Sequence, residues 1–144
     1  MTLTLDSQDL AQPEKRSWLR AMARGFTCSC PNCGKGHVFK AYLKVADSCD
    51  VCGEELHHHR ADDAPPYFTM FIVGHVVIPL VLAVEKLWAP DLWVHFALWT
   101  AVTLGLTFAL MPAVKGAIVG LQWALRMHGF DYAATQADQT REGV

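Results

Sequence analysis

The sequence predicts a small zinc ribbon built on four-cysteine knuckles, followed by an antiparallel transmembrane helical hairpin and a C-terminal amphipathic helix. Three observations lead there. Two C-x2-C pairs stand fifteen residues apart. Two long charge-free apolar runs follow them, separated by a short gap that holds Pro90. Eight of the twelve Lys and Arg residues precede the first run, one (Lys86) lies in the gap and three (Lys115, Arg126, Arg141) follow the second.

A chain of 144 residues fits one compact domain or a small module with a membrane anchor, and a hydrophobic content of 52% favours the second. A net charge of −2 argues against a general nucleic-acid binder, which must neutralise many phosphates, so no nucleic-acid partner is expected. Residues 1–12 have neither a basic start nor a continuous apolar core, so an exported N-terminal half is not expected. Five cysteines in a reducing compartment more often hold metal than form disulfides.

Residues 1–25 read as a flexible segment ending in a short basic helix, EKRSWLRAMARGF. Trp18, Leu19, Met22 and Phe26 share one side of it, with Lys15, Arg16, Arg20 and Arg24 around the rest. Two placements are open: on anionic headgroups, or packed on the cysteine module.

The ribbon is assigned to residues 26–56. Cys30 and Cys33 pair with Cys49 and Cys52 in the spacing C-x2-C-x15-C-x2-C, which is that of a zinc site. Gly34 and Gly53 follow the two pairs and supply the positive φ such a turn needs. Four thiolates close the shell around one structural Zn²⁺ and leave no position for water, with an iron site or a redox dithiol as the alternatives. So short a module buries too little apolar surface to fold alone, and metal binding must supply much of the folding free energy. Val38, Phe39, Tyr42, Leu43 and Val45 are the expected core beside the metal. Cys28 is left over, as a free thiol or a substitute ligand.

Residues 57–67, HHHRADDAPPY, form a hinge. His57, His58 and His59 invite the reading of a second metal site, yet they point in different directions on any regular backbone and no partner at i+4 completes one, so the site stays as an alternative. Arg60, Asp62 and Asp63 read either as a solvated charge cluster or as a headgroup or partner contact together with His58, His59 and Tyr67. Pro65 and Pro66 fix φ and bias Ala64 away from helix.

The first span is assigned to residues 68–88, where the charge-free stretch 68–84 is followed by Glu85 and Lys86 at the far interface. About twenty helical residues cross a hydrocarbon core of about 30 Å. Pro79 withholds an N–H from the His75 carbonyl, which predicts a kink and a polar spot in the bilayer. His75 is an intramembrane ionisable group, either functional or a neutral imidazole bonded to the neighbouring helix. The second span is residues 92–111. In it Ala97, Ala101, Gly105 and Ala109 recur every four residues, a small-residue ridge expected to face the first span, a partner helix or a second copy. Residues 112–130 carry Lys115, Gln122, Arg126 and His128, and read as an amphipathic or extended helix lying along or leaving the membrane surface. Residues 131–144 are a polar tail. Basic residues outside both spans put both termini in the cytoplasm by the positive-inside rule.

The runs CPNCGKG, CDVCGEE, HHHRADDAPPYFT, FIVGHVVIPL and LQWALRMHGF closely resemble the bacterial membrane proteins grouped as domain of unknown function 983, over roughly residues 25–130. The resemblance implies a two-span inner-membrane protein with a zinc ribbon. It carries the metal pairs to Cys30, Cys33, Cys49 and Cys52, the hinge motif to His58, His59, Arg60, Asp62, Asp63, Pro65, Pro66 and Tyr67, and the membrane histidine to His75. Cys28 and His57 stand outside the shared pattern. In alphaproteobacteria such proteins are often encoded among genes for cytochrome oxidase subunits and their assembly factors.

Three functions follow as expectations. The first is an interaction or assembly protein anchored in the lipid bilayer, because the metal shell is closed and no nucleophile and base occur in a recognisable motif. The second is an interfacial enzyme with Asp62 or Asp63 as general base, Arg60 holding a phosphate or carboxylate, and the neighbouring histidines serving as acid or metal ligands. The third is metal or haem delivery through Cys28, the 57–59 histidines and His75.

Overall fold

The computed structural model describes residues 16–59 and 64–130. They form α1 (Trp18–Phe26), β1 (Phe39–Ala41), β2 (Lys44–Val45), α2 (Ala64–Trp88) and α3 (Leu92–Ala124). Arg60, Asp62 and Asp63 lie outside the described residues.

Helix α1 starts at Ser17, whose Oγ accepts from the Arg20 N–H at 3.5 Å, and stops at Thr27, whose N–H reaches back to the Ala23 carbonyl. β1 and β2 form a two-stranded antiparallel sheet with Phe39 opposite Val45. Leu43 takes a φ of 60° in the turn between them. In α2 the prolines do not hold the chain out of helix as the sequence suggested. Helix begins at Ala64, and Pro65 and Pro66 occupy its first turn, where a missing N–H costs nothing because those donors have no intrahelical acceptor.

α2 and α3 are long and apolar enough to cross a membrane, and only 11% and 17% of their most apolar windows are buried, so neither is the core helix of a soluble fold. Residues 89–91 join them. Near their far ends Thr69 Oγ1 approaches Met111 Sδ at 3.9 Å. Near the connection Glu85, His95 and Trp99 form a polar clasp. An indole only donates, so the Trp99 Nε1–H at 2.9 Å makes His95 Nδ1 the acceptor. The Nε2–H is then directed at Glu85, 2.9 Å away. Pro79 sits inside a continuous α2. The His75 ring bonds its own helix, at the Phe71 carbonyl 2.8 Å away, rather than the neighbouring one.

At the end of the second span the extended alternative holds. No separate C-terminal amphipathic helix begins at residue 112; α3 runs on unbroken through Pro112 to Ala124. Its 33 residues extend about 50 Å, about 20 Å more than a hydrocarbon core. Pro112 removes the N–H that the Phe108 carbonyl would accept in a helix. Tyr42, from the turn between the strands, supplies the replacement: its hydroxyl donates to that carbonyl at 2.9 Å, and its ring lies 6.4 Å from that of Phe108.

The extension is the spine of the cysteine module. Val38, Val45 and Leu56 pack around Val119 of α3, with Phe39 and Ile118 at the edge. Ala21 and Phe130 pack around Trp123. The expected core is therefore corrected: Tyr42 is exposed, Leu43 half-buried, and the module completes its interior with Leu56 and two side chains from α3. Helix α1 docks through its small residues, Ala21 and Gly25, while Trp18, Leu19 and Phe26 remain exposed. A Cβ on Gly116 would overlap the Gly25 carbonyl, and one on Gly120 would overlap the Ala21 carbonyl.

Gly116→Ala and Gly120→Ala each force two backbones apart, with an expected loss of about 1–3 kcal/mol of module stability. Gly105→Ala, where an added Cβ meets open space, is expected to be neutral or slightly stabilising. Thermal unfolding of the detergent-solubilised protein followed by tryptophan fluorescence checks the contrast.

Candidate metal centre

Each C-x2-C pair sits in a turn closed in the same way. Gly34 N–H bonds the Cys30 carbonyl at 2.8 Å, and Gly53 N–H bonds the Cys49 carbonyl at 3.0 Å. Gly34 and Gly53 have φ of 70° and 72°, the left-handed conformation that the sequence anticipated at both. The bridges Ser29–His37 and Ser48–Glu55 clamp the bases of the two turns.

The turns bring all four sulfurs within 4.8 Å of one another. Across the two turns, Cys30 and Cys52 sulfurs are 3.7 Å apart and Cys33 and Cys49 sulfurs 3.8 Å apart. The edge of a tetrahedron with metal–sulfur bonds of about 2.3 Å is about 3.8 Å, so the spacing suits one tetrahedrally bound ion. Backbone N–H groups of Lys35 and Val51 point at Cys33 and Cys49 sulfurs at 3.4 and 3.5 Å. The N–H groups of Gly36 and Lys35 lower the Cys33 thiol to about 6, whereas burial pushes Cys30 and Cys52 up. A bound cation would stabilise the thiolate form at Cys30 and Cys52, which burial disfavours. Cys28 lies outside this group, half-buried, with φ 58° and a thiol raised by burial.

Polar contacts tie the centre to its neighbours. Asn32, between Cys30 and Cys33, donates to Glu54 Oε2 at 2.9 Å, and Glu54 Oε1 accepts from the Trp123 indole at 2.8 Å. Arg24 donates to the Pro31 and Asn32 carbonyls at 3.1 and 2.6 Å. Arg16 lies 4.2 Å over the Trp123 ring and donates to that residue's carbonyl at 2.9 Å. Arg16, Arg20, Arg24 and Arg126 line one cavity of about 440 Å³.

The hinge residues are dispersed in role. Pro65 is buried, Pro66 and Tyr67 are exposed on the first turn of α2, and His59 Nδ1 lies 3.0 Å from the Leu56 carbonyl. His57 and His58 ring centroids lie 3.9 Å apart with the planes tilted by 37°, and His58 Nε2 is 3.2 Å from Glu55 Oε2. His75 lies on α2 with its ring against Phe71, and among the described residues neither it nor Cys28 joins a cluster of potential metal ligands. Ala97, Ala101, Gly105 and Ala109 are all exposed, so the ridge does not face α2. Sequence reasoning missed the role of Glu54, the bond of the Tyr42 hydroxyl to α3 and the Glu85–His95–Trp99 clasp. Only the last left a signal, the i, i+4 spacing of His95 and Trp99.

Over residues 39–123 the chain matches the family described as Protein of unknown function (DUF983). The match takes in the second cysteine pair, the hinge and both apolar helices, and begins after Cys33. The chain matches no curated protein and no solved structure.

Protein purified in mild detergent and washed briefly with chelator is expected to retain one tightly held metal ion per chain. Serine at Cys30, Cys33, Cys49 or Cys52 abolishes that retention, and Cys28→Ser preserves it; elemental analysis by mass spectrometry reads both.

Proposed function

The chain belongs to the DUF983 family, and on that premise we propose that it is a membrane-anchored interaction and assembly protein whose four-thiolate centre holds one structural Zn²⁺. In this reading α2 and α3 form an antiparallel transmembrane hairpin in a bacterial inner membrane. Both termini and the zinc module lie in the cytoplasm, on the side where Lys and Arg are concentrated.

The observation that carries the proposal is the continuity of α3. One helix is both the second apolar rod and the spine of the cysteine module, so a partner held at either end is fixed relative to the other. The ridge of Ala97, Ala101, Gly105 and Ala109 faces away from α2, and small residues let a further helix approach closely in lipid. The arginine-lined cavity gives the cytoplasmic knob an electropositive face suited to an acidic surface. A cytochrome oxidase complex under assembly is the partner class that the family resemblance points to.

Purification at native expression levels in mild detergent is expected to recover a membrane complex with this chain. Gly105→Leu and Ala101→Leu release that complex while the metal content and the module's melting temperature stay unchanged. Recovery of the chain alone, or a complex indifferent to both substitutions, contradicts the reading.

A further inference from the structure

We infer that Glu55, His57 and His58 form a second metal site, open to an external ligand, for a divalent cation of the Co²⁺ to Zn²⁺ class. It stands apart from the closed cysteine centre and does not depend on the assembly role.

The first argument is backbone geometry. Glu55 is held in its bridge to Ser48, and the N–H groups of Leu56 and His57 both bond the Asp47 carbonyl, at 2.9 and 3.2 Å. Leu56 is fully buried against Val119, which fixes the direction of the strand-like segment. Alternation then leaves Glu55 and His57 exposed on the side opposite Leu56. The chain turns next, with His59 N–H bonding the Leu56 carbonyl at 3.3 Å, and the turn folds His58 back toward Glu55. Three successive histidines diverge on a regular backbone. Here an extended stretch followed by a turn brings two of them to one carboxylate.

The second argument is the ligand set. One nitrogen from each ring and one Glu55 oxygen all lie within 4.8 Å of one another. The rings are 3.9 Å apart, and His58 Nε2 is 3.2 Å from Glu55 Oε2. Two imidazoles and a carboxylate fill three of four tetrahedral positions and leave one for water or another ligand. Imidazole suits Zn²⁺, Co²⁺, Ni²⁺ and Cu²⁺, whereas Mg²⁺ and Ca²⁺ require more oxygen ligands than the trio offers.

The third argument is preorganisation of His58. Its ring meets Phe130 edge-on at 5.8 Å, and Phe130 is fully buried. Gly129 leaves the space on the Nδ1 side, since a Cβ there would lie 2.9 Å from that nitrogen. Packing thus turns Nε2 toward Glu55 before any ion arrives, and a ligand fixed in this way loses less freedom on binding.

The test uses the full chain in mild detergent, washed with chelator so that only the cysteine-held ion remains, then dialysed against Co²⁺ or Zn²⁺ at neutral pH. One further equivalent is expected, and bound Co²⁺ should lack the thiolate charge-transfer absorption of a sulfur site. Glu55→Gln and His57→Ala, both at exposed positions, each weaken the second equivalent by at least about tenfold. The chelator-resistant ion and the melting temperature are unaffected by either. No further equivalent at saturating metal, or one that survives both substitutions, overturns the site.

Discussion

Everything else in this structure depends on the contact of two backbones with no side chain between them. Gly25 lies on Gly116, and Ala21 lies on Gly120, carbonyl against Cα. That approach lays α1 along the extension of α3, brings Arg24 over the first cysteine turn and sets Arg16 on Trp123. Dispersion between close-packed atoms is individually small and falls steeply with distance, so a single added methyl matters more here than at the exposed Gly105. Small-residue crossings are characteristic of helices in lipid. This chain uses one to fasten its cysteine module to a helix long and apolar enough to cross a membrane.

The second constraint is backbone satisfaction. A proline within a helix leaves one carbonyl without its helical donor, and in a nonpolar setting that costs several kcal/mol. At Pro112 the Tyr42 hydroxyl takes the place of the missing N–H, so the helix continues where its sequence would interrupt it. The result couples the module and α3 in both directions. Val119 and Trp123 complete the module's interior, and the module's Tyr42 gives α3 a donor for the Phe108 carbonyl. A metal ion held between the two turns would join the same unit, because Asn32 and Glu54 connect the cysteine turns to the Trp123 indole.

What the sequence disclosed and what it concealed divide along physical lines. The cysteine turns were legible to the residue, including the left-handed Gly34 and Gly53, because two-residue spacing and glycine placement are local facts. The two apolar helices were legible from composition, since their length and freedom from charge are also local. Between the two readings of residues 112–130, amphipathic or extended, the sequence could not choose, because the donor that serves the Phe108 carbonyl, the Tyr42 hydroxyl, lies sixty-six positions from it. Helix α1 was assigned its contact face from Trp18, Leu19, Met22 and Phe26. The face that docks is made of Ala21 and Gly25, which hydrophobic patterning undervalues. The pairing of Glu55 with His57 and His58 was hidden for a similar reason, because it depends on Leu56 being anchored by a residue of α3.

The central claim is that α1, the cysteine turns and the far end of α3 form one body whose integrity depends on the bound ion. Amide hydrogen exchange on the metal-loaded protein and on a chelated sample tests it most directly. With metal, the amides of α1 and of residues 116–124 should be protected together with the cysteine turns, and all three should lose protection together on chelation. If α1 exchanges as freely as an unstructured peptide in the metal-loaded protein, or keeps its protection after the ion is removed, the account is contradicted.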